Sequence, residues 1–179
     1  MKKTAIVLLV LGCFVMFQAC ASAPKLPESQ PGLYVNPEFR FSVNYPENWT
    51  AEPLQAGEVL RAANPNPYKV PVITASVADL AEGASLDTKA FTVVAQAAQT
   101  GSKRYKVLSE EDITLNDGTP AKAFTYKWTW TDGVSKLVTA AVISIKDDKF
   151  FTTTVTTLLG GETKPEQLLE IVKSWKFYQ

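Results

Sequence analysis

Two short turns limit the folds open to this chain more than any other feature. Asn116-Asp117-Gly118 and Asp132-Gly133 each separate runs of alternating apolar and polar residues. Asp and Gly tolerate the positive φ angles that a tight hairpin needs, so each turn joins neighbouring antiparallel strands. The strands they join are 106–115, 119–131 and 134–145. A further turn at Asp147-Asp148 leads into 149–159. The spacing therefore predicts an antiparallel meander of four strands.

The same reasoning extends upstream. Phe39, Phe41, Val43 and Tyr45 alternate with Arg40, Ser42 and Asn44, which predicts a half-buried strand ended by Pro46. Stretches 58–64 and 70–78 read as two more strands, broken by Asn64-Pro65-Asn66-Pro67. Pro71 places the second at an edge or a strand end. A helix is expected between Ser85, a candidate N-cap, and Gly101, with Leu86, Ala90, Phe91, Val94 and Ala98 at helical spacing. Thr163-x-x-Glu166 reads as a capping box before a last helix striped by Leu168, Ile171, Val172 and Trp175. Strands, helix, meander, helix is the order of an α+β fold, an antiparallel sheet with helices covering its faces.

Composition excludes much chemistry. The 179 residues contain no histidine, so His-based triads, imidazole zinc sites and histidine proton shuttles are impossible. The two cysteines, Cys13 and Cys20, both lie near the N-terminus, so residues 21–179 have neither a disulfide nor a thiolate metal site. Lys+Arg and Asp+Glu balance at 18 each. Without Lys2 and Lys3 the rest is slightly acidic, which is not the footprint of a nucleic-acid binder. No P-loop, dinucleotide fingerprint or G-x-S-x-G is present, and no cofactor is called for.

Residues 1–19 read as a signal peptide: Lys2-Lys3, then a mostly apolar run from Thr4 to Phe17, short for a membrane span. The run ends in Phe17-Gln18-Ala19-Cys20, which resembles the lipobox of bacterial lipoproteins, with Phe17 and Gln18 departing from the usual Leu and small residue. The resemblance implies cleavage before Cys20, diacylation of its thiol and anchoring in the cell envelope. With Ala21 after it, the resemblance implies the outer membrane, facing the periplasm. Val10-Leu11-Gly12-Cys13 is a second candidate, but it would leave a very short apolar region and an apolar FVMF run on the mature chain, so Cys20 is preferred. An ordinary signal peptide cut near Ala21 or Ala23 is the plainer alternative. Residues 20–32 then comprise the lipidated Cys and a tether with three prolines, and 33–179 the globular domain.

The globular part resembles the PsbP-like family, which includes DcrB-type bacterial lipoproteins. The resemblance is carried by "FRFSVNYPENWT" at 39–50 and "EIVKSWKF" at 170–177, and order and length match over about 33–179. It implies an α/β/α sandwich, a short strand after the last helix, and binding or assembly roles without catalysis.

Candidate binding residues are aromatic. Phe124, Tyr126, Trp128 and Trp130 lie on one face of one strand, either as a stacking platform for a sugar or another ring, or as core packed under a helix beside Ala140 and Ala141. Trp130, beside the Asp132-Gly133 turn, is expected to be the most exposed. Trp49 lines a pocket or caps the sheet, and Trp175 belongs to a helix stripe. The acidic runs Glu110-Glu111-Asp112 and Asp147-Asp148 lack calcium-loop spacing and read as solvated charge. Ser135 and Lys136 point to opposite faces of a strand and cannot form a dyad directly. The sequence thus points to a membrane-anchored binding module for an envelope protein or complex. A carrier or sensor of a small apolar ligand is the second reading, and a histidine-free hydrolase the third.

Overall fold

The computed structural model describes residues 25–68, 70–87 and 103–178. It contains ten strands: β1 (Leu33–Asn36), β2 (Phe41–Asn44), β3 (Thr50–Ala51), β4 (Glu58–Ala63), β5 (Val72–Asp79), β6 (Lys103–Thr114), β7 (Pro120–Thr129), β8 (Lys136–Lys146), β9 (Lys149–Leu158) and β10 (Lys176–Phe177). One complete helix, α1 (Pro165–Lys173), lies among the described residues, and Leu86 and Asp87 are also helical. The strands form two antiparallel sheets, a small one ordered β1-β2-β10 and a large one ordered β3-β4-β5-β9-β8-β7-β6.

The meander β6-β7-β8-β9 is present, and the expected turns make it. Gly118 and Gly133 hold φ of 89° and 74°. Asp147 and Asp148 both have positive φ, the signature of a two-residue hairpin loop matched to strand twist. Pro71 stands just before β5, which is an interior strand, so its missing N–H falls outside the ladder.

The expectation of a helix-flanked α+β sandwich is corrected by the second sheet. The small sheet shares with the last helix the covering that the sequence pattern assigned to helices alone. Phe41 and Val43 of β2 and Phe177 of β10 belong to the core under the large sheet, where Phe41 and Phe177 meet Phe151 of β9. The nine-residue helix α1 adds Leu168 and Val172 to the same core. Among the described residues the chain is therefore mostly β. The helix expected between Ser85 and Gly101 lies, beyond Asp87, outside the described residues.

Helix α1 starts one residue later than the capping box at Thr163 implied. Pro165 occupies the first helical position, and a residue before proline is driven to extended backbone. Lys164 is accordingly the N-cap, at φ −78° and ψ 152°, and its N–H donates to Oε1 of Gln167, not to Glu166.

Alternation in the large sheet gives it two different faces. One carries Leu60, Ile73, Ala75, Ala121, Val138, Ala140, Val142 and Val155 beneath α1 and the small sheet. This face also buries polar atoms that lack a hydrogen-bond partner, among them Thr153 Oγ1. A buried hydroxyl with no partner costs about 1–3 kcal/mol. Thr153→Val keeps the shape and removes the hydroxyl, so it should raise the urea midpoint, by an amount equivalent to about 1 kcal/mol. A lower midpoint would show that the hydroxyl has a bond after all.

Candidate functional site: a tryptophan-walled groove on the second face

The other face of the large sheet is built from three cross-strand rows. Thr74, Thr154, Ala141 and Phe124 are successive partners across β5, β9, β8 and β7. The next row is Val72, Thr156, Thr139 and Tyr126, and the third is Leu158, Leu137 and Trp128. β7 therefore sets Phe124 opposite Ala141, Tyr126 opposite Thr139 and Trp128 opposite Leu137, and the shorter side chains across the sheet leave a depression beside the aromatic row.

The aromatic row is split by burial. Phe124 and Tyr126 are buried and form a second core with Ala141, Ile143 and Phe150. Leu80 and Leu86, from the connection after β5, pack on this core, and Asp87 reaches Lys122 at 3.0 Å. Tyr105 lies tilted against Tyr126, centroid to centroid 5.3 Å, and burial pushes its phenol up to about 12. Burial also raises the Tyr126 phenol. Both phenols are therefore neutral at ordinary pH, unsuited to act as bases.

Further along the row, Trp128 is half-buried and Trp130 is 49% exposed. Their rings lie 5.3 Å apart, tilted by 42°, and together form a curved apolar wall. Trp128 Nε1 donates to Thr139 Oγ1 at 3.0 Å, which fixes the ring. The Trp130 backbone is clamped in the hairpin: its N–H donates to the Ser135 carbonyl, and its carbonyl accepts from Gly133. Asp132 closes that turn by accepting from the N–H groups of Val134 and Ser135, and from Ser135 Oγ at 2.5 Å. These bonds, the Ser135 hydroxyl first, hold its carboxyl below its ordinary range.

Trp128 and Trp130 face a groove of about 560 Å³. Its floor is Val72, Thr74, Thr154, Thr156 and Leu137, and its opposite side is Glu58, Arg61, Tyr68 and Val70. Arg61 pairs with Glu58 at 2.7 Å, and Thr74 Oγ1 shares a hydrogen bond with Thr154 Oγ1 at 2.9 Å. Tyr68 is 78% exposed and stands on a loop braced by Asn66, whose side chain accepts from the Tyr68 N–H and donates to the Val70 carbonyl. The size is that of a small-molecule site, roughly 300–1,000 Å³.

Of the residues singled out in the sequence, the structure brings Trp128 and Trp130 together on this groove, with Tyr126 in the core behind them. Trp49 is not there. It is buried in the core of the opposite face and touches a shallow hollow with Pro46, Asn64 and Ile171. Cys20 lies outside the described residues. The acidic run is engaged in ion pairs: Lys122 with Asp112 at 2.7 Å and with Glu110 at 3.6 Å, and Lys173 with Glu111 at 2.5 Å. Among the described residues no group of three or more Asp, Glu, His or Cys converges to hold a metal. Tyr68, Glu58, Arg61 and the β5 and β9 threonines were not singled out. They are brought together by the pairing of β4 with β5 and of β5 with β9, which no local pattern carries.

No family model matches the sequence, nor does any curated protein. Solved structures do match. The solution structure of cyanobacterial PsbP (CyanoP) from Synechocystis sp. PCC 6803 superposes with a TM-score of 0.62 at 14% identity, over 84% of this chain and 95% of that one. The fold is PsbP-like. A crystal structure from Bacteroides thetaiotaomicron superposes with a TM-score of 0.53, also at 14% identity, over 84% of this chain; the match spans half of that longer chain. At this identity the PsbP-like likeness concerns the backbone arrangement, and the groove side chains stand on their own geometry.

Proposed function

We propose that this chain is a lipid-anchored module of a bacterial cell envelope that works by binding, and that the groove is its binding surface. The observation that carries the reading is the exposed aromatic rim, Tyr68 and Trp130 facing across a groove with a partly polar floor. Exposed aromatic side chains held on fixed backbone are what recognition sites require, because contact gains area without ordering flexible chains. Val134, 78% exposed at the tip of the same hairpin, extends the rim.

The anchor follows from the lipobox-like run ending at Cys20. Acyl chains contribute about 0.8 kcal/mol per buried methylene, and two or more hold a protein firmly on a bilayer. Ser29 and Gln30 are bonded to β1, through Ser29 Oγ to the Val35 backbone and Gln30 to Leu33. Eight residues, 21–28, separate Cys20 from the first of these bonds, a length of chain that can reach no more than about 29 Å. That reach confines the module to a thin layer and raises its effective concentration for an envelope protein or complex there.

A photoreactive side chain placed at Tyr68, Trp130 or Val134 should crosslink to one reproducible envelope component in intact membranes. The same group at Leu54 or Glu166, exposed outside the groove, should not. Equal yields from both sets would refute the groove as the contact surface. A small ligand is the second reading, favoured by the size of the groove.

A further inference from the structure

Resting on that reading of the groove, we propose that its ligand is a short, uncharged oligosaccharide, or the corresponding stretch of an envelope glycan. Three features of the groove select this chemistry. The first is the wall. The faces of Trp128 and Trp130 carry the negative side of the ring quadrupole, and the axial C–H bonds of a sugar ring present the matching positive side. The 42° tilt between the indoles suits a chain whose successive rings are rotated against one another. Tyr68, across the groove, offers a further ring to the opposite sugar face.

The second feature is the floor. Thr74 and Thr154 have one hydroxyl hydrogen each and share a single bond, so one O–H remains to donate, with acceptor lone pairs beside it. An apolar ligand would strip water from these hydroxyls and give nothing back. A sugar hydroxyl replaces that water in kind.

The third is charge. Arg61 is matched by Glu58, and Asp132 is occupied by its own turn. The charged side chains among the described lining residues, Glu58, Arg61 and Asp132, are thus already engaged. The Arg61–Glu58 pair presents donors and acceptors side by side, the arrangement that vicinal hydroxyls match.

The test uses the full chain in detergent, titrated by calorimetry with chitotetraose and maltotetraose. The expected result is saturable binding of at least one of them at micromolar to millimolar concentration. Trp130→Ala and Tyr68→Ala should each weaken it tenfold or more, and Glu166→Ala should leave it unchanged. Trp130 and Tyr68 are exposed, so both variants should keep the wild-type circular dichroism and melting point. Saturable binding that survives both substitutions places the sugar elsewhere and overturns the proposal. Binding of 1-anilinonaphthalene-8-sulfonate alone, lost in Trp130→Ala, overturns it in favour of an apolar ligand. If no saccharide binds while groove crosslinks persist in membranes, the sugar class is wrong and the groove reading stands. If both fail, both are wrong.

Discussion

Trp175→Ala should cost the fold about 3–5 kcal/mol, the largest single-residue effect expected among the described residues. Trp175 is fully buried where the two sheets and α1 meet. Its ring lies 4.8 Å from Phe41, 5.5 Å from Phe177 and 5.7 Å from Phe151, centroid to centroid. Removing the indole leaves a cavity walled by three rings on two sheets, which cannot close without parting them. For a chain of this size the melting temperature should fall by on the order of 10 °C. Trp175→Phe should cost clearly less. It keeps most of the ring contact and removes Nε1, which is buried with no partner among the described residues. Urea denaturation of the full chain checks both variants. A loss under about 1 kcal/mol for Trp175→Ala would mean that the small sheet is not held by this cluster.

Cys20→Ala should move the protein from the membrane fraction to the soluble one. Acyl burial is the proposed source of attachment, and no helix among the described residues is long and apolar enough to cross a bilayer. The change should be near complete, because a slightly acidic module has little electrostatic hold on a lipid surface. Cys13→Ala should leave the distribution unchanged. Fractionation with a high-salt wash, together with intact mass, reads both. Retention of the Cys20 variant, or release of the Cys13 variant, would show that the wrong thiol carries the anchor.

The meander was legible because its information is local. Asn116-Asp117-Gly118, Asp132-Gly133 and Asp147-Asp148 each specify a hairpin in two or three residues, and the flanking alternation supplies the strands. The small sheet was not legible in that way. β1 and β10 are four and two residues long, and they pair with β2 from opposite ends of the described chain. Their residues are too few to show a period. This is why covering elements were assigned to helices when a second sheet supplies much of the cover.

The site divides along the same line. The aromatic row of β7 could be read from alternation, since Phe124, Tyr126 and Trp128 must share a face. Which of them is core and which is surface depends on what crosses over them. Leu80 and Leu86 close over Phe124 and Tyr126, and leave Trp130 open. The floor depends on β5 lying beside β9, which puts Thr74 against Thr154 although 80 residues separate them. In sequence the Thr-rich run of β9 is only a good strand; in the fold it is the polar base of a groove. Trp49 shows the converse, an aromatic side chain flagged for possible contact that is spent on packing.

Hydroxyl-radical footprinting in native membranes tests the binding account most directly. Tyr68 and Trp130 would be oxidised in intact membranes and again after detergent extraction, with exposed Leu54 as the reference outside the groove. The account predicts that Tyr68 and Trp130 are protected in the membrane and become reactive on extraction, while Leu54 reacts equally in both. Equal reactivity of all three residues in both samples would mean that nothing occupies the groove where the protein works.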